Sequence, residues 1–199
     1  MLSKEIFNLK KTLDNLVNQQ KKIKEIINIL SKCLKNNKNI FICGNGGSAA
    51  EAEHLSAEFL VRLKPKNNRR SLPIISLTQN SPVVTACGND YGFDNIFSRV
   101  LEGIGKKKDI LVCLSTSGNS KNIIQVLKFA KKMKIKTISF LGGNGGKAKQ
   151  LSDFSLVINS KDVARIQECH LFLGHYRLGE EEKIVIKWKK LKNHMVHGI

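Results

Sequence analysis

The chain has 199 residues, 41% of them apolar, which suits one well-packed α/β domain rather than two. No apolar run approaches the ~18 residues of a membrane span, and the lysine-bearing N-terminus lacks the apolar core of a secretion signal. The net charge of +18 suggests nucleic acid as a partner. The lysines are spread along the chain, however, and only 6% of the residues are aromatic, so we expect neither a nucleic-acid nor a membrane partner. The five cysteines form no CxxC pair, which favours reduced thiols and a cytoplasmic location.

The N-terminal segment carries a long helical pattern. Between residues 6 and 34, apolar residues recur at alternating steps of three and four, with Gln20 at the one missing step. This spacing predicts one helix of about 44 Å with an apolar seam. Such a helix is longer than the domain, so we expect one end to pack on the domain and the other on a partner subunit. A helix that lies wholly on its own domain is the alternative.

After residue 39, short apolar runs alternate with helical patterns. The predicted strands are 40–43, 73–77, 110–114, 137–141 and 154–158. The predicted helices are 48–63, 93–104, 121–133 and 163–176. The alternation predicts an α/β three-layer sandwich with a five-stranded parallel sheet between helices, whose ligands bind beyond the carboxyl ends of the strands. We interpret residues 1–199 as a single domain with an N-terminal oligomerisation helix (1–38), an α/β core (39–176) and a basic tail (177–199).

The predicted strand at 110–114 ends in a turn that is rich in hydroxyl groups. Around Gly118 and Asn119 stand four hydroxyl residues, Ser115, Thr116, Ser117 and Ser120. A buried strand that leads through such a turn into a helix is typical of a phosphate site, because backbone N–H groups and the helix dipole point at one spot. A serine-rich N-cap is the alternative, but it needs only one hydroxyl. The pattern therefore favours an anion site.

Two glycine-rich segments resemble nucleotide loops and fail the full patterns. Residues 44–48 with Ala49 meet the loose dinucleotide fingerprint, but Leu77, Thr78 and Gln79 stand where its acidic residue belongs. We therefore exclude a nicotinamide cofactor. Residues 142–147 fail as a Walker loop because Ala148 follows the lysine. We expect this second segment to be a flexible turn.

His54 and Glu58 lie four residues apart and share one face of a predicted helix. Gln167 and His175 lie eight apart on a later helix, about 12 Å along its axis. The four side chains could form a divalent-metal site, with zinc favoured by the two imidazoles. A surface pair is the alternative for His54 and Glu58. The long rise means that both later side chains stretch inward or that only part of the set binds metal at once.

Taken together, the motifs resemble one family. In chain order these are GNGGSAA at 44–50, His54 with Glu58, GNDYGF at 88–93, STSGNS at 115–120 and ARIQE at 164–168. They resemble the phosphoheptose isomerases, SIS-domain enzymes that convert D-sedoheptulose 7-phosphate to D-glycero-D-manno-heptose 7-phosphate. The similarity covers about residues 1–176. It implies a homotetramer with active sites at subunit interfaces, and the first step of ADP- or GDP-heptose biosynthesis.

The resemblance also implies roles for individual residues. Glu58 and His175 would be the catalytic acid/base pair of an enediol mechanism. One zinc ion per subunit would be bound by His54, Glu58, Gln167 and His175. The substrate phosphate would contact Ser115, Thr116, Ser117 and Ser120, and the rest of the substrate would contact Asn45, Gly46, Gly47, Glu58, Asn89, Asp90 and Gln167.

Beyond Tyr176 the resemblance ends. Gly179 in a helix interior costs about 1 kcal/mol, so we expect the last helix to be interrupted there. The alternative function is a non-catalytic SIS-domain protein that associates with the bacterial replication initiator. The presence of Glu58, Gln167 and His175 favours the enzyme.

Overall fold

The computed structural model describes residues 1–196, with the side chains of residues 1–177, 179 and 180. It confirms a five-stranded parallel sheet between helices. The strands are β1 (Ile40–Gly44), β2 (Ile74–Ser76), β3 (Ile110–Ser115), β4 (Lys136–Gly142) and β5 (Phe154–Ile158). The helices are α1 (Leu2–Val17), α2 (Gln20–Lys35), α3 (Gly47–Leu60), α4 (Ser81–Tyr91), α5 (Ile96–Ile104), α6 (Lys121–Lys132), α7 (Gly146–Leu151) and α8 (Val163–Val196), with a 3-10 turn at Phe93–Asn95.

The strand order β2-β1-β3-β4-β5 brings two loops together. From β1 the chain moves to one side of the sheet, and from β3 it moves to the other. In the register of these neighbours, Cys43 lies opposite Cys113 and Gly44 opposite Leu114. The loops after β1 and β3 therefore emerge side by side at the carboxyl edge, where the direction of strand addition reverses. Open parallel sheets bind their ligands at this switch point.

Both faces of the sheet are buried. Along β1, Ile40 and Ile42 pack in one apolar cluster whereas Phe41 and Cys43 pack in another. This alternation follows from strand geometry, and it explains why the strands are continuous apolar runs. Helices α1, α2, α3 and α8 cover the first face, and α4 to α7 cover the second. Among the described residues, no helix is long and apolar enough to cross a membrane.

The N-terminal segment is helical as predicted, but it is not one continuous helix. The helix is interrupted between α1 and α2, where Gln19 Nε2 donates to the Val157 carbonyl of β5 at 2.9 Å. Leu16 and Ile26 are buried in the core cluster on the sheet, so both helices pack on their own domain. The bond from Gln19 to β5 fixes the interruption at the point where the apolar spacing lapses at the exposed Gln20. The first turns of α1 still expose apolar side chains, those of Leu2, Ile6 and Phe7.

The last helix differs from the prediction in length. It continues through Gly179, so the expected interruption at that residue is wrong. Leu173 and Arg177 are buried just before the glycine, and the Arg177 guanidinium lies 4.7 Å from the centre of the Phe59 ring. Burial of these large side chains outweighs the glycine cost of about 1 kcal/mol. Positions 197–199 of the predicted basic tail lie outside the described residues.

Candidate active site

The loop after β1, residues 44–48 and hereafter the glycine loop, turns sharply into α3. Gly46 adopts φ +54° and ψ −121°, a conformation that suits glycine. A Cβ on Gly44 would lie 2.6 Å from the Ser48 carbonyl oxygen, so strand and helix meet closely there. Gly46 and Gly47 are exposed, whereas Asn45 is half-buried. The loop therefore presents bare backbone and one amide side chain to a ligand.

The loop after β3, residues 115–120 and hereafter the hydroxyl loop, is held by its own side chains. The Gly118 N–H donates to Ser115 Oγ at 3.1 Å, and the Asn119 N–H donates to Ser117 Oγ at 3.2 Å. Each accepting hydroxyl keeps a proton to donate. Ser120 occupies the N-cap position of α6, yet its hydroxyl makes no capping bond, and no acidic residue lies in the first helical turn. The loop is thus suited to an anion.

Residues 142–147 form a turn and the start of α7, as the glycines predict, and they brace the hydroxyl loop; the flexibility of this turn stays a prediction. The Ala148 N–H donates to the Gly118 carbonyl at 2.9 Å, and the Lys147 N–H donates to Asn119 Oδ1 at 3.0 Å. A Cβ on Gly118 would collide with the backbone carbonyl of Gly145. Gly118 also has φ +63°. Glycine is therefore required there for both conformation and space.

We expect Gly118→Ala to weaken binding of inorganic phosphate at least tenfold and to lower the thermal midpoint by several degrees. The positive φ costs a non-glycine residue about 1–3 kcal/mol, and the Gly145 backbone would have to move as well. Titration calorimetry and thermal unfolding measure the two effects. Gly103→Ala in α5 is the matched control, because a Cβ there meets open space. Equal phosphate affinity in Gly118→Ala and wild type would contradict the assignment of this loop.

The two histidines of the predicted metal set come together across α3 and α8. His54 Nε2 and His175 Nε2 lie 2.9 Å apart, and their rings meet edge to face. Burial, and then the neighbouring His54, lower the pKa of His175, while the Glu58 carboxylate acts in the opposite direction. Glu58 is half-buried one turn after His54 on α3. The structure therefore assembles His54, Glu58 and His175 as one cluster.

Gln167 lies at a different point of the site. A Cβ on Gly47 would collide with the Gln167 amide, so that side chain packs directly on the glycine loop. His175, two turns further along α8, contacts His54 instead. The predicted four-residue metal set is thus brought together only in part. In the part of the chain that the structure describes, no group of three or more His, Cys, Asp and Glu side chains is arranged to hold a metal ion.

Asn89 and Asp90 belong to α4. They are exposed near the end of α4, and Asn89 Nδ2 donates to Asp90 Oδ1 at 2.8 Å. Helix α4 packs on α5 and the 3-10 turn. Among the hydrogen bonds of the described residues, none joins either side chain to the glycine or hydroxyl loop. Their predicted contact with substrate stays a prediction.

Sequence reasoning missed two buried polar residues beside the loops. Asn122 exchanges two hydrogen bonds with Asn45, at 2.9 and 2.8 Å. Burial raises the pKa of Glu51 to about 7, although a hydrogen bond with Ser48 lowers it in part. Glu51 stands at a buried position of α3, three residues after Ser48. In the sequence, each stands as a polar residue on the otherwise apolar face of a helix, and this pattern could have identified both.

Comparison with known proteins agrees with this geometry. The SIS domain family model matches residues 6–142. A relative from Clostridium acetobutylicum, named phosphoheptose isomerase, is 46% identical over 153 residues, or 77% of this chain and 77% of the relative. The chain belongs to the phosphoheptose isomerase family. The resemblance seen in the motifs is thereby confirmed.

Further members of the family extend the match. A phosphoheptose isomerase from Campylobacter concisus is 43% identical over 175 residues, which cover 88% of this chain and 92% of that protein. The solved structure of a phosphoheptose isomerase from Francisella tularensis has a TM-score of 0.83 at 29% identity, covering 92% of this chain and 98% of that one. As a member of this family, the chain is a sugar-phosphate isomerase.

Proposed function

We propose that the chain converts D-sedoheptulose 7-phosphate to D-glycero-D-manno-heptose 7-phosphate, the first step of ADP- or GDP-heptose biosynthesis. The observation that carries the proposal is the adjacency of the hydroxyl and glycine loops at the β1/β3 switch point. One loop suits the phosphate, and the other leads through α3 to His54, Glu58 and His175. The names of the relatives support the same substrate class.

In the proposed reaction, the phosphate lies against Ser115, Thr116, Ser117 and Ser120, and the sugar chain extends past Asn45, Gly46 and Gly47. Glu58 removes the proton from one carbon and returns it to the neighbouring carbon, through an enediol. His175 exchanges protons with the two oxygens. Burial and the neighbouring His54 lower the pKa of His175, which favours the neutral imidazole that can both accept and donate a proton. Gln167, packed on Gly47, contacts the substrate beside the glycine loop.

The test is direct. The purified chain is incubated with sedoheptulose 7-phosphate, and the products are followed by NMR spectroscopy. We expect an aldose 7-phosphate to accumulate until the ketose and aldose reach equilibrium. A chain that forms no aldose phosphate would overturn the proposal. Binding of the replication initiator without turnover would instead favour the non-catalytic alternative.

We further propose one zinc ion per subunit, held by His54 and His175 with Glu58 and Gln167. Imidazole nitrogens are ligands that zinc prefers, and those of His54 and His175 face each other at 2.9 Å. When bound, zinc supplies positive charge that stabilises an oxyanion of the substrate. We expect the purified chain to retain zinc and His175→Ala to lose most of it, as measured by mass spectrometry, with the exposed Glu53→Gln as the control. Equal zinc in His175→Ala and wild type would contradict the site.

A homotetramer is the proposed assembly. Leu2, Ile6 and Phe7 expose apolar side chains on one end of α1. An apolar cluster of this kind is typical of an interface between subunits. Further along the segment, Leu16, Ile26 and Leu30 are buried in the core of the same chain, whereas the exposed apolar side chains of the first turns are available to a partner subunit.

A further inference from the structure

Asn122 joins the two substrate loops through a pair of amide hydrogen bonds. Asn45 Nδ2 donates to Asn122 Oδ1 at 2.9 Å, and Asn122 Nδ2 donates to Asn45 Oδ1 at 2.8 Å. Asn122 is the second residue of α6, directly after the hydroxyl loop, and only 2% of it is exposed. Asn45 belongs to the glycine loop and is half-buried.

The backbone fixes which way each amide points. The Ile123 N–H donates to Asn122 Oδ1 at 2.9 Å, so the oxygen of Asn122 must face α6. If the Asn122 amide were reversed, its NH₂ group would face the Ile123 N–H, and two hydrogen-bond donors would oppose each other. With Asn122 fixed, the reciprocal pair leaves Asn45 only one orientation that satisfies both bonds. The remaining Asn45 donor and acceptor positions are then directed by the protein rather than by solvent.

We propose that Asn122 is a positioning residue that sets the amide of Asn45 against the sugar chain of the substrate. This inference rests on the proposed function, in which Asn45 contacts the sugar and the hydroxyl loop holds the phosphate. Asn122 lies in the first turn of α6, the helix that follows the hydroxyl loop, so it fixes the distance and direction from the phosphate to the sugar contacts. Its effect on turnover passes through Asn45.

A double-mutant cycle tests this route. We expect Asn122→Ala to lower kcat/KM for sedoheptulose 7-phosphate about tenfold to thirtyfold, as expected for two net hydrogen bonds in a buried pair. In the Asn45→Ala background, the same substitution should change kcat/KM less than twofold, because Asn45 is no longer there to be positioned. Gln125→Ala, an exposed amide on the same helix, is the matched control and should behave as wild type.

Inorganic phosphate gives a second readout. The bonds of the hydroxyl loop do not include the Asn122 side chain, so Asn122→Ala should bind phosphate within twofold of wild type. Asn122→Ser is the second variant should alanine disturb folding, because its hydroxyl is too short to span to Asn45. Thermal unfolding of each variant shows whether the fold is retained.

Each outcome decides the inference. A loss of kcat/KM in Asn122→Ala that is equally large in the Asn45→Ala background would overturn it, as would a parallel loss of phosphate affinity. A wild-type chain without turnover would overturn the proposed function and this inference with it. If the wild type is active and Asn122→Ala lowers kcat/KM by the same factor in both backgrounds, the inference is overturned and the proposed function is not. A loss of kcat/KM in Asn122→Ala that disappears in the Asn45→Ala background, with phosphate binding retained, supports it.

Discussion

Glu58→Gln is expected to lower kcat for sedoheptulose 7-phosphate by about 10²–10⁴-fold, the usual contribution of a positioned general base. The carboxylate lies half-buried one turn after His54, in the cluster where His54 Nε2 meets His175 Nε2. Glutamine keeps the size and hydrogen-bonding reach of the side chain but cannot accept the carbon-bound proton. KM should change only a few-fold, because the phosphate contacts are made by the hydroxyl loop.

Glu53→Gln is the matched control for this substitution. Glu53 lies on the same helix and is exposed, so its loss should leave kcat unchanged. Zinc content of Glu58→Gln, measured beside the kinetics, separates the loss of a base from the loss of a ligand. A Glu58→Gln enzyme with kcat within threefold of wild type would contradict the assigned role.

His170→Leu is expected to make the protein more resistant to acid. His170 lies on α8 with none of its surface exposed, 6.1 Å from the Phe140 ring centre. Neither ring nitrogen has a hydrogen-bond partner of good geometry among the described residues. Burial lowers the pKa of His170 from 6.5 to about 4, and the Leu141 backbone offsets only part of this effect. Leucine matches the apolar surroundings and cannot take up a proton.

The sign follows from proton uptake in the two states. As the pH falls below 6.5, the unfolded chain protonates His170, whereas the folded chain does so only near pH 4. The wild type therefore loses stability across this window, by about 2–3 kcal/mol at pH 4.5. Glu51 acts in the opposite direction, because its folded pKa of about 7 lies above its usual 4.5 and the folded state gains the proton first. The informative quantity is therefore the difference between variant and wild type.

Denaturant unfolding of both proteins at pH 8 and pH 4.5 measures this difference. The free energy of unfolding of His170→Leu minus that of wild type should be about 2–3 kcal/mol larger at pH 4.5 than at pH 8. His170→Gln, which is polar but does not titrate, should gain the same amount even if it is less stable at both pH values. A difference that does not change with pH would show that His170 is not the group that is protonated.

The sequence predicted the strands and the two ligand loops because their signals are local. A strand buried on both faces must be an apolar run, as residues 110–114 are, and the break into hydroxyl groups marks its end. The helix after each loop follows from the apolar spacing of its own residues. His54 and Glu58 share a face for the same reason, since four residues make about one helical turn.

Other features depend on contacts between distant segments, and the sequence could not predict them. The break between α1 and α2 is fixed by Gln19 on the end of β5, and α8 passes Gly179 because the residues before it are buried. Residues 142–147 looked like a free turn. In the structure they pack on Gly118, which belongs to another loop.

The sequence by itself determined the hydroxyl loop, because four hydroxyl residues beside a helix start suit an anion in any fold. It also determined the types of residue that carry the chemistry, Glu58 and the two histidines. Only the tertiary structure decided how these parts are joined. The strand order sets β1 beside β3, helix α8 brings His175 to within 2.9 Å of His54, and Asn122 ties the hydroxyl loop to Asn45. These contacts join residues 70 to 121 positions apart, and no local pattern in the sequence encodes such pairs.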